Sequence, residues 1–331
     1  MTSSHNATSA TFQAVEESLP GTHWQALQRR LWPLYQTWFS SEGDAARPSY
    51  VESRRALRQH MPELLPTFER LCELAGGGDM VSRFLSLYCP PPYLSGCTQA
   101  VWTGDEPLLV RNYDYSAQRL EAVLLKSCWN GQTVIAMSDA LWGVLDGINE
   151  SGLAVSLAFG GRLESGKGFG IPLILRYILE FCKTTDEAIE VLQRVPTHMS
   201  YNITVVDPSQ RFATVYVAPD KLPVVRQVPV ATNHQGKVEW PRHAWATATL
   251  ERESAVQSIL ADTEETAEGL IAGFLRPPIF NNAYRRGFGT LYTAVYRPVS
   301  RQASYLWPQH RWDFAINHFV SGSYAVDYAK E

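Results

Sequence analysis

The feature that most constrains this chain is a change of period near residue 96. Upstream, Trp24, Leu27, Leu31, Leu34 and Trp38 recur at three- and four-residue spacing, and a helical pattern extends over 22–85, with a second helix running from residue 50 into the seventies. Downstream, segments near 98–103, 107–115, 121–128, 132–138, 142–148 and 152–159 read as strands separated by Gly, Asp or Asn turns. Strands so closely spaced leave no room for the crossover that a parallel pair needs, so they join as antiparallel hairpins. Two helices follow, over 172–182 and after the capping box Thr184-Thr185-Asp186-Glu187. Strands resume near 201–207, 212–218 and 222–232. A helical stretch over 241–273 and closing strands near 289–297, 302–307 and 312–317 complete the pattern. The expectation is an α+β fold, a pair of antiparallel sheets covered by helices.

The break lies between Gly76-Gly77-Gly78 and the extended run Cys89-Pro90-Pro91-Pro92-Tyr93-Leu94-Ser95. It divides the chain into a helical leader, 1–96, whose Ser/Thr-rich first 20 or so residues read as frayed, and a main domain, 97–331. With 331 residues and 45% hydrophobic content the core is ample, while a net charge of -4 gives no pull toward nucleic acid or an anionic membrane. The N-terminus carries no basic and apolar signal pattern, and no run of 18 apolar residues occurs, so a cytoplasmic location is expected. Five cysteines without a CxxC pair argue against a disulfide framework or a zinc cluster.

The chemistry centres on Cys97, at the end of the linker. If the Gly96-Cys97 bond is cut, one residue supplies a thiol and a free α-amine. Their reference pKa values, about 8.5 and about 8, let the amine take the thiol proton near neutral pH. In the following strand Arg111 and Tyr113 face one side, Asn112 and Asp114 the other. An arginine near the thiol favours thiolate, and a carboxylate can hold the amine. By spacing alone, a surface Arg/Asp pair beside a buried cysteine fits equally.

Four motifs in order carry a resemblance: Gly96-Cys97-Thr98, Arg111-Asn112-Tyr113-Asp114, Asp146-Gly147-Ile148-Asn149-Glu150-Ser151-Gly152-Leu153-Ala154-Val155, and Thr232-Asn233-His234. Together they resemble the N-terminal-nucleophile hydrolases of the choloylglycine hydrolase and penicillin (isopenicillin N) acyltransferase group. The resemblance implies a four-layer αββα sandwich, self-cleavage at Gly96-Cys97, Cys97 as nucleophile, Arg111 and Asp114 as the residues that orient it, and Asn233 as oxyanion donor. The bile-salt enzymes carry a second oxyanion asparagine where this chain has Leu157-Ala158-Phe159-Gly160, so a backbone amide of that turn is the candidate there. Arg285 and Arg286 are the candidates for a late active-site arginine, His234 and Phe159 for substrate contact, and Asn149 reads as a turn residue.

The implied activity is hydrolysis of a linear amide, or acyl transfer, through an acyl thioester. The expected partner is a small acyl amide, with no cofactor, metal, nucleic acid or membrane; the leader fragment is a candidate to stay bound, and the chain a candidate homo-oligomer. Two other readings stand beside this one: a papain-like thiol hydrolase pairing Cys97 with His234 or His198, and an uncleaved, non-catalytic binding homologue.

Overall fold

The computed structural model describes residues 9–329. The leader opens with a strand, β1 (Ser9–Glu16), and four helices, α1 (Thr22–Phe39), α2 (Tyr50–His60), α3 (Leu65–Leu74) and α4 (Asp79–Leu85). Ser49 and Glu52 form a reciprocal capping box that starts α2, and Pro62 and Pro66 divide what the spacing suggested was one helix into α2, a 3-10 turn and α3. Six strands follow: β2 (Gly96–Trp102), β3 (Leu108–Tyr115), β4 (Val123–Ser127), β5 (Val134–Asp139), β6 (Gly143–Asn149) and β7 (Ala154–Phe159). Helices α5 (Ile171–Phe181) and α6 (Thr185–Arg194) precede β8 (Tyr201–Val206), β9 (Phe212–Ala218), β10 (Lys221–Arg226) and the two-residue β11 (Val230–Ala231). The last third holds α7 (Pro241–Ala246), α8 (Thr249–Ala261), α9 (Ala267–Phe274), β12 (Gly289–Arg297), β13 (Gln302–Trp307), β14 (His310–Ala315) and β15 (Gly322–Asp327).

The strands form two sheets, one of nine in the order β10-β9-β8-β7-β6-β5-β4-β1-β15 and one of six in the order β11-β2-β3-β12-β13-β14. They pack face to face. Gln99 on β2 reaches Asn202 O on β8 at 2.9 Å, and Arg111 on β3 reaches Leu157 O on β7 at 3.0 Å. Helices α5 and α6 cover the outer face of the larger sheet, and α8 and α9 that of the smaller. The architecture is therefore mixed α+β in four layers, αββα. Among the described residues all pairings between these strands are antiparallel save one: β1 runs parallel to β4.

That exception corrects the picture of a frayed, purely helical leader. Residues 1–8 lie outside the described residues, but 9–16 form a strand wedged between β4 and β15, with Phe12 buried edge-on against Tyr292 and Trp307. Neither β1 nor β15 was foreseen. The leader helices also cover the outside of α5, every residue of which from Ile171 to Glu180 is buried. Arg176 and Glu180 inside it pair at 2.7 Å, and Tyr177 bonds Glu63 at 2.8 Å. Trp24 of α1 donates to Leu141 O at 3.0 Å. Among the described residues no helix is long and apolar enough to cross a membrane.

Because Phe12 fills the junction of both sheets, Phe12→Ala is expected to cost about 3–5 kcal/mol, the usual range for an aromatic core deletion. Urea unfolding checks this, and a loss below about 1 kcal/mol would show that β1 is only loosely attached.

Candidate active site

Cys97 lies on β2 opposite Tyr113 of β3, and its side chain is completely buried between the sheets. The polar neighbours of its Sγ are Arg111 Nη2 at 3.4 Å and Ser95 Oγ at 3.8 Å. Burial pushes the thiol above its ordinary pKa, while the Arg111 guanidinium pulls it the other way. Arg111 is fully buried and carries no water shell. Its Nη1 bonds Asp146 and Tyr292 Oη, and its Nε donates to Leu157 O, so each face of the fork is spoken for. Asp146 also accepts from Tyr292 at 2.6 Å and from Tyr296, which closes the ion pair inside a tyrosine cage.

The opposite face of β3 carries Asn112 and Asp114, as the alternation requires. Asn112 donates to Phe274 O at 2.8 Å, and Asp114 accepts from Thr290 Oγ1 at 2.7 Å. Burial raises the Asp114 carboxyl, against the opposing pull of Arg252, Thr290 and Arg111. Asn233 follows β11, where the φ +70° of Gly161 lets that turn approach: a Cβ there would stand 2.1 Å from Asn233 O. Asn233 Oδ1 accepts from Cys97 N at 3.1 Å, and Nδ2 donates to Phe159 O at 3.0 Å. These partners fix the orientation of the amide and use one of the two Nδ2 hydrogens.

Arg252 is the residue that sequence reasoning missed. Projecting from α8, it donates to Cys97 O at 2.5 Å, Thr98 Oγ1 at 2.6 Å and Asn233 Oδ1 at 2.6 Å, and lies 3.7 Å from Asp114. One guanidinium thus ties the Cys97 backbone to Asn233 and Asp114. The available signal was its position one turn before Val256, which marks an arginine on the inner face of a helix. Arg285 and Arg286 do not reach the site: their 3-10 turn buries Tyr284 and leaves both arginines in solvent.

Other candidates fall into place around this core. Phe159 contributes its carbonyl, while its ring is buried edge-on against His243 at 5.1 Å. The Gly160 amide is committed to Ser200 O at 2.8 Å, so it does not serve as the second oxyanion donor. Asn149 Oδ1 accepts from Ser151 N and Leu153 N, the turn role expected of it. His234 Nε2 faces Glu253 at 3.4 Å, and His198 Nδ1 meets Phe169 O at 3.2 Å. Burial holds His198 down at about 4. Neither histidine is a polar partner of Sγ, so the papain-like reading lacks its base.

All of this constellation except Cys97, which lies just ahead of it, sits inside a stretch with known relatives. The family model described as acyl-coenzyme A:6-aminopenicillanic acid acyl-transferase matches residues 101–312. The chain belongs to this family. As a member of the acyl-transferase family it is an enzyme acting on amides, and the matched span contains Arg111, Asp114, Asn233 and Arg252. Among solved structures it is similar to a mutant of conjugated bile acid hydrolase from Clostridium perfringens, at 11% identity over 69% of this chain and 96% of that one, TM-score 0.48. It is also similar to an N-acylethanolamine-hydrolyzing acid amidase ortholog from Caenorhabditis elegans, at 16% identity over 66% and 99%, TM-score 0.44. A third is penicillin V acylase from Agrobacterium tumefaciens, at 15% over 66% and 85%, TM-score 0.44. Among curated proteins none matches.

Replacing Arg252 by Gln is expected to slow reaction at the Cys97 centre by about 100-fold, because displacing a reacting group by an ångström costs that much. Lysine should not rescue, since it cannot form the fork. Amide turnover, with near-UV circular dichroism to check folding, measures both; a fully active Arg252→Gln protein would dismiss Arg252 as a positioning residue.

Proposed function

We propose that this acyl-transferase-family enzyme is a cysteine amidase or acyl transferase that matures by cutting its own Gly96-Cys97 bond. The observation that carries the reading is the convergence on Cys97 of Arg111 at Sγ, Asn233 at N and Arg252 at O while the bond to Gly96 is still in place. In maturation Sγ attacks the Gly96 carbonyl, the C–N bond breaks, and the nitrogen takes up the thiol proton. Water then hydrolyses the resulting thioester and leaves a free α-amine on Cys97.

In the mature enzyme the amine is the base. It would lie beside Asn233 and near the Arg252 cation, whose charge disfavours a second positive charge and keeps the amine neutral. Sγ attacks the amide carbonyl, the second Nδ2 hydrogen of Asn233 meets the oxyanion, and the amine passes the proton to the leaving nitrogen. Water on the acyl thioester gives hydrolysis and an amine gives transfer. In the uncut chain Cys97 is sealed under Ser95, so an amide reaches Sγ only after the 90–96 segment moves.

The leader, in this reading, stays bound as a small subunit. Its strand β1 is hydrogen-bonded on both sides within the larger sheet, and losing it would expose two strand edges.

Purified protein is expected to give two fragments by mass spectrometry, divided between Gly96 and Cys97, that co-elute on gel filtration. Cys97→Ala should yield one intact chain without amidase activity, and an intact yet fully active wild type would overturn the maturation scheme. Gly96→Ala is expected to cut about 100-fold more slowly, since a Cβ there would stand 2.9 Å from Phe288 Cζ and 3.1 Å from Asp114 Cβ. An unchanged cutting rate would show that the carbonyl tolerates displacement.

A further inference from the structure

A cavity of about 540 Å³ opens between α1, the 87–94 linker, β3 and the β5–β6 turn. Tyr35 and Trp38 of α1 form one wall, their rings 6.3 Å apart, and Tyr93 of the linker meets Trp38 edge-on at 6.0 Å. Tyr113 and Tyr115 of β3 form the facing wall. One wall of the cavity, Tyr113, adjoins Cys97. Tyr113 pairs across the strands with Cys97, and its ring lies 4.7 Å under the Arg111 guanidinium that donates to Sγ. Tyr93 and Leu94, which line the cavity, also stand on the acyl side of the Gly96-Cys97 bond. An external amide reacting at Sγ by the same path would therefore lay its acyl part along this space.

One carboxyl breaks the aromatic lining. Asp139, at the end of β5, faces the cavity, and among the described residues no side chain donates a hydrogen bond to it. Its neighbour Glu121 is, by contrast, fully committed, to Tyr35 Oη at 2.5 Å, Ser138 Oγ at 2.9 Å and Leu141 N at 2.7 Å. Burial and the Glu121 charge hold Asp139 well above the usual carboxylate range, opposed by a hydrogen bond from the Ala140 backbone and by the Arg111 charge behind Tyr113. Arg119 stays at the exposed rim, bonded to Tyr115. Among the described residues the lining thus presents the Asp139 carboxyl, five π-faces and a single cation, Arg119, at the rim, an environment that attracts a positive charge and repels a negative one.

We propose that this cavity receives the acyl part of the substrate and that Asp139 selects acyl groups carrying an ammonium. The inference rests on the acyl-thioester reading above and adds the chemical class of the acyl group. The chain atoms of the acyl group lie along the tyrosine and tryptophan faces, and the ammonium meets Asp139, restoring its ionised form. The leader supplies Tyr35, Trp38 and Tyr93, so the specificity belongs to both fragments together.

The test pairs ω-aminoacyl p-nitroanilides of five to seven carbons with their ω-methyl isosteres. Mature wild-type enzyme is expected to favour the ammonium-bearing member at least about tenfold in kcat/KM, and Asp139→Asn to bring that ratio close to one, mainly through KM. Equal or better use of the ω-methyl members by wild type, or a ratio untouched by Asp139→Asn, overturns the proposal. If neither series is turned over, the catalytic reading is at fault, and calorimetry on uncut Cys97→Ala protein decides the inference alone. There hexylammonium should bind at least about tenfold tighter than hexan-1-ol, an advantage lost in Cys97→Ala/Asp139→Asn. Indifference to the charge, or no binding, overturns it.

Discussion

The arrangement depends on a positive charge held where water cannot reach it. Arg111 is wholly buried between the sheets, and Asp146 answers it from β6 with Tyr292 and Tyr296 of β12 completing the shell. An isolated cation there would be prohibitive, and removing one partner of such a pair typically costs about 3–5 kcal/mol. Four strands, β3, β6, β7 and β12, are therefore locked in register around one guanidinium. The Cys97 sulfur inherits that rigidity through Nη2, the single part of the fork not consumed by the scaffold.

Arg252 performs the corresponding task from outside the smaller sheet. Where Arg111 fixes the sulfur, Arg252 fixes the peptide around it, binding the carbonyl of Cys97 and the amide oxygen of Asn233. Burial lowers its pKa, and the nearby Asp114 opposes that fall. Two buried arginines on opposite faces of the same pair of strands thus divide the work, one on side-chain chemistry and one on backbone geometry.

Much of this was legible in the sequence, and the omissions have physical causes. Strands β2 to β9 were readable because each is a short run between turn residues, and Arg111 and Asp114 because alternation assigns them opposite faces. Strand β1 was hidden because Ser9-Ala10-Thr11-Phe12-Gln13 looks like a polar tail until Phe12 is seen against Tyr292 and Trp307. β15, with one buried residue, Val326, carries too little apolar pattern to declare itself. Arg252 escaped notice because a charged residue on a helix is normally solvated, and only tertiary packing turns it inward; Arg285 and Arg286 drew attention for their charge, yet a turn leaves them exposed. The composition of the linker announced a boundary, but could not show that elements on either side of it share one sheet.

That shared sheet has a consequence for biosynthesis. Ser9 pairs with Asp327, so β1 finds one of its two neighbours only when β15, some 318 residues later, has been made. Contacts of such sequence separation form slowly, because most of the chain must be ordered before they repay the loop they close. Completion of the nine-stranded sheet thus waits for β15, and this topology leaves one edge of β1 unpaired through the synthesis of everything between them.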